Sequence, residues 1–170
     1  MSATDNLIQV GTITAVDPTN LALVRVQIHE RVTDWFPYKM VANSHIKIWI
    51  PPKVGEQVLV LSPYGEADNG IVLGGIYNVD LKEPVGANAT TSIMEFSDGT
   101  VLKYDTAAKA LSILASGSVA ITAPSGITVT ANTAISGNVT ITGNLTVSGT
   151  ITDGKGDLTN HTHPNVAPRS

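Results

Sequence analysis

Gly137-Asn-Val-Thr-Ile-Thr142, Gly143-Asn-Leu-Thr-Val-Ser148 and Gly149-Thr-Ile-Thr152 follow one another without a break. The same parity runs back to Leu111. Odd positions carry Leu111, Ile113, Val119, Ile121, Ile127, Val129, Ile135, Val139, Ile141, Leu145, Val147 and Ile151, with mostly Gly or Ala between them. Even positions are mostly Ser, Thr and Asn, with Leu114 as the clearest exception. A period of two means extended chain with one dry and one wet face. A single strand of this length would far exceed the usual limit of about 10 residues. Glycine on the inward parity bends the chain without driving a side chain into the axis, so each unit reads as one short strand and one bend.

Such a unit cannot bury its apolar face alone. A one-chain solenoid would use about three units per turn and make only a few turns. Three chains wound about one axis would close every ladder and leave no long β edge. The stretch is therefore expected to form an intertwined homotrimer. A flexible Ser/Thr linker is the alternative, and the sustained β-branched apolar parity argues against it.

Charge and aromatic residues divide the chain. From Ala110 to Thr152 there is no Asp, Glu, Lys, Arg, Phe, Tyr or Trp. Every aromatic residue precedes Asp105. That shift separates a globular head from a thin rod. In the head, Leu7–Val16, Leu21–Ile28, Ile46–Ile50, Gln57–Leu61 and Ile71–Tyr77 read as short strands, and residues 29–43 read as a loop. Five strands without a convincing helix suggest an OB-fold barrel. Asp98-Gly99 between two alternating runs is a hairpin signal. The expected fold class is all-β, an OB-fold barrel followed by a trimeric triple-stranded β-helix. Its expected divisions are an OB domain over 1–80, a linker over 81–91, hairpin and rod over 92–152, and a metal-binding tip over 153–170.

The chain has 170 residues and a net charge of −4. Without a basic run, nucleic acid is not an expected partner. Without cysteine there is neither a disulfide framework nor a thiolate metal site. Met1-Ser-Ala-Thr-Asp5 lacks the basic and apolar regions of a signal peptide. No apolar run is long enough to span a bilayer. No nucleophile motif or paired carboxylates are present, and no enzyme activity is expected. Glu56, Glu66 and Asp68 fall in ordinary turns.

His161 and His163, in Asn160-His-Thr-His-Pro164, are the candidate metal ligands. Positions i and i+2 of an extended chain face the same way. Around a threefold axis two imidazoles become six, an all-nitrogen octahedral set suited to a transition metal and unlike tetrahedral structural zinc. Read alone, the pair is also compatible with solvated tail histidines. Asp153-Gly-Lys-Gly-Asp157 reads as a solvated turn, and His29 and His45 as structural histidines.

Pro52-Lys-Val-Gly-Glu-Gln-Val-Leu-Val60 and Gly70-Ile-Val-Leu-Gly-Gly-Ile-Tyr-Asn78 resemble the OB-fold of baseplate assembly protein V and of type VI secretion spikes. The Asp98-Gly99 hairpin, the Thr/Val/Gly repeat and the terminal His-x-His resemble the central spike of Mu-like contractile phage tails. The resemblance covers nearly the whole chain. It implies a trimeric spike at the tip of the tail baseplate that pierces the bacterial outer membrane. Its OB domains would sit on the tail hub, and its tip would hold one iron per trimer on the six histidines at positions 161 and 163. Ca²⁺ and Cl⁻ in the rod are further implications, without assignable residues. The protein would reside in the virion tail or in a phage-derived particle, made in the host cytoplasm. The rival reading is a trimeric tail adhesin that binds a surface receptor. A receptor-binding tip usually carries exposed aromatics, and none follows Ile151.

Overall fold

The computed structural model describes residues 6–153, 156 and 157. Among them are eleven strands: β1 (Ile8–Val16), β2 (Leu23–Ile28), β3 (Arg31–Val32), β4 (Phe36–Lys39), β5 (Gln57–Leu61), β6 (Ile71–Leu73), β7 (Thr91–Glu95), β8 (Val101–Asp105), β9 (Ala110–Leu114), β10 (Thr152–Asp153) and β11 (Gly156–Asp157). The described chain is all-β, with a 3-10 turn at Pro63–Gly65.

Strands β1, β2, β4, β6 and β5 close into a barrel, and β3 extends β2. All of the barrel's pairings are antiparallel except β4 with β6, which run parallel. Alternation supplies the core. Ile13, Val24, Val26, Ile28, Phe36, Val58, Val60 and Val72 point inward and form one buried cluster. Burying each such side chain is worth about 1.5–3 kcal/mol relative to exposure. Closure needs β1 to serve two neighbours. Its first half pairs with β5 and its second with β2, and the β2 register slips between Ile13 and Ala15. An extra residue there bends a strand and raises its twist, which barrel closure requires.

Three sequence expectations change here. Residues 29–43, read as a loop, contain β3 and β4, the latter a full barrel strand. The run Phe36-Pro-Tyr-Lys39 is short and contains a proline, so it gives a weak local signal. The buried ring of Phe36 and the parallel pairing of Tyr38 with Val72 make it a strand. Conversely, Ile46–Ile50 is not a strand. Its residues are exposed and only an isolated bridge, Ala42 with Lys47, forms nearby. Strand β6 also ends at Leu73, sooner than the expected Tyr77. A side chain on Gly74 would collide with the Tyr38 hydroxyl, so the backbone approaches that ring closely.

Strands β7, β8 and β9 form a second, antiparallel sheet. Its first hairpin turns at Asp98-Gly99, as expected, with Gly99 at φ +86°. Residues 1–120 make one compact unit and residues 121–170 another. The sheet thus belongs to the same unit as the barrel. Between residues 115 and 151 no strand forms, and every residue from Ser116 to Thr152 is exposed. Ile121, Val129, Ile135, Val139, Ile141 and Leu145 all expose more than half of their surface.

Candidate functional site

His161 and His163 lie outside the described residues. Just before them, β10 and β11 form a short antiparallel ladder that pairs Thr152 with Asp157 and Asp153 with Gly156. The backbones of Asp153 and Asp157, in the segment read as a solvated turn, are thereby brought onto adjacent strands. Among the described residues no group of three or more His, Asp or Glu side chains could hold a metal ion. His29 occupies the β2–β3 turn at φ +50°, and the exposed His45 sits in a turn whose amides bond to Asn43 Oδ1. Asp68 lies 3.9 Å from Arg31 Nη1. Glu56 acts on Tyr38, whose hydroxyl pKa is raised by burial and then by that negative charge.

The junction between head and repeat carries a network that sequence reading missed. Asp98 Oδ1 accepts from the Thr100 amide at 2.9 Å, and Asp98 Oδ2 accepts from Ser116 Oγ at 2.8 Å. The Ser116 amide donates to Thr100 Oγ1 at 3.2 Å. The hairpin turn is thus tied to the chain just beyond β9. Asp-x-Thr is visible in the sequence as a turn, but the partner sixteen residues beyond Thr100 is not. These bonds hold the Asp98 carboxyl below the usual carboxylate range, the Thr100 amide first and Ser116 next.

The barrel has a ring order of β1-β2-β4-β6-β5, with its single parallel contact between β4 and β6. Residues 9–77, which span nearly all of it, match the type VI secretion system/phage-baseplate injector OB domain. The head is thus similar to that injector OB domain. A spike protein of Escherichia phage P2 is 37% identical over 127 residues, a stretch covering 70% of this chain. That stretch is longer than the barrel alone. The chain spans 59% of the length of this phage relative. Together the two matches relate the chain to baseplate spikes, as the motifs in the head and repeat led us to expect.

Among the described residues, no helix is long and apolar enough to cross a membrane. A groove of about 530 Å³ lies beside the barrel, where Ile50, Tyr77, Leu81 and Phe96 mix with Lys53 and Glu95. Glu95 accepts from the Val85 amide at 3.0 Å, which pins the segment between barrel and sheet. The groove's charges are of both signs.

Proposed function

We propose that this chain is the central spike of a contractile tail, a homotrimer that is driven through the bacterial outer membrane. The OB heads rest on the baseplate hub, and the stretch from Leu111 to Ile151 forms a three-chain β-helix. The exposed stripe carries this reading. Directly after an injector head, a long run of Ile, Val and Leu at one parity stands in water in the single chain. Two further copies would cover it and would close every β ladder, leaving no free edge. A rod whose backbone hydrogen bonds run between chains resists axial load. Its outward Ser, Thr and Asn side chains carry no charge to hold it at a membrane surface.

At the far end, His161 and His163 of three chains would supply the metal ligands. Neutral imidazole nitrogen is a suitable donor for iron. Iron bound there would cross-link three chain ends where no apolar core is available.

Sedimentation equilibrium tests the assembly. The full chain is expected at three times 17.7 kDa. A folded single chain at micromolar concentration would overturn the reading.

A further inference from the structure

A closed barrel needs one apolar surface, its interior. This barrel has a second. Along β1, β5 and β6 the inward positions include Ile13, Val58, Val60 and Val72. The outward positions of the same strands are Ile8, Val10, Leu59, Leu61, Ile71 and Leu73. Pairing aligns them in two rows. Ile8 faces Leu61, which faces Ile71; Val10 faces Leu59, which faces Leu73. Thr12 and Gln57 close the patch at one end. Ile8 and Val10 expose 65% and 51% of their surface.

The other side of the barrel is different. On β2 the outward Arg25 stacks over Trp35 at 4.9 Å and bonds to Asp34 at 3.2 Å. That half is polar and charged. The contrast is also written in the chain: Val58-Leu-Val-Leu61 and Ile71-Val-Leu73 do not alternate. Unbroken apolar runs are the pattern of strands covered on both faces.

We propose that the outward face of β1, β5 and β6 turns toward the threefold axis, so that the three heads pack on one another through it. This inference rests on the trimer proposed above and names a contact within it. A second copy fits the patch better than a separate protein does. Six aliphatic side chains offer a few hundred Å², about the size of the largest patch on an ordinary monomer. A stand-alone complex uses about 800 Å² per partner. The smaller patch is sufficient where the repeat already holds three chains together, because tethering raises the local concentration to roughly millimolar. It also lacks the charges that would orient an incoming partner.

The absence of cysteine makes the test clean, since an introduced thiol is the only one in the chain. Full-length Val10→Cys, on the patch, is compared with Asp34→Cys, on the charged side. Ile71→Cys, in the other row, serves as a second patch variant should the first fail to fold. In the trimer, the patch thiol should join two protomers through a short bismaleimide. It should also react about tenfold more slowly with a bulky maleimide than the Asp34→Cys thiol does, because reactivity follows access. Equal labelling rates without cross-linking, in protein that sediments as three chains, would overturn the head contact and leave the trimer standing. Sedimentation of a folded single chain would remove the trimer itself.

Discussion

At Gly11 a single hydrogen in place of a side chain keeps the barrel closed. A Cβ there would strike Val26 Cγ1 and lie 2.6 Å from the carbonyl oxygen of Gln27. The carbonyl belongs to the backbone of β2, the strand paired with β1, and cannot swing aside. Gly11→Ala is therefore expected to cost about 1–3 kcal/mol, the usual penalty of overpacking, read as a lower urea midpoint. Asp98 makes a different kind of prediction. Its folded pKa lies below the ordinary 3.8, so its contribution is fully present above that value. The contribution is lost as pH falls through the lower, folded value. The Thr100 amide resonance should thus titrate below pH 3.8. In Asp98→Asn that acid transition should vanish. An unchanged transition in the variant would assign it to another carboxylate.

At the level of elements, a strand needs a partner as well as a pattern. Ile46–Ile50 has β-branched residues and an apolar bias, yet it stays exposed because no neighbouring strand receives it. Phe36–Lys39 has a proline and a poor pattern, yet Val24 pairs with Phe36 on one side and Val72 with Tyr38 on the other. By contrast, β1, β2 and both strands of the Asp98-Gly99 hairpin were legible in the alternation of their own residues, and β5 in its short apolar run. The repeat makes the same point by its silence in one chain. Ile141 is 52% exposed there, so polar replacement should cost little if the stripe stays in water. If three chains bury it, Ile141→Asn removes an apolar contact from every chain and places a polar group in a dry axis, at about 2–5 kcal/mol per copy. Thr140→Asn, on the opposite parity, should leave the melting temperature unchanged. Equal melting of both variants would argue that the stripe is not buried.

For the whole molecule, the division into residues 1–120 and 121–170 separates the part that folds on its own core from the part that does not. Only the first contains buried hydrophobic residues among those described. Assembly and metal should therefore be separable. His161→Ala combined with His163→Ala is expected to abolish bound iron, from one per three chains to none, by elemental analysis. It should leave the sedimenting mass unchanged if, as proposed, the stripe up to Ile151 holds the chains. Iron should also leave the wild-type protein in acid, since protonated imidazole cannot ligate. Equal metal content in the wild-type and variant proteins would sink the six-histidine tip. Collapse of the trimer in the variant would show that the tip, and not the stripe, clamps the rod.

The β character of the head, the split into an aromatic, charged head and an uncharged repeat, and the parity of the repeat's apolar residues were all decided by the sequence alone. These are local properties. A period of two or a run of threonines is complete within a few neighbouring residues and needs no knowledge of what lies across from it. Which strands meet was decided only by the tertiary structure. The parallel contact of β4 with β6 joins residues more than thirty positions apart. The tie from Asp98 to Ser116 spans eighteen. The outer patch exists only because pairing sets Ile8, Leu61 and Ile71 side by side. Register between distant segments depends on closing the barrel around one shared core, and no single segment contains that information.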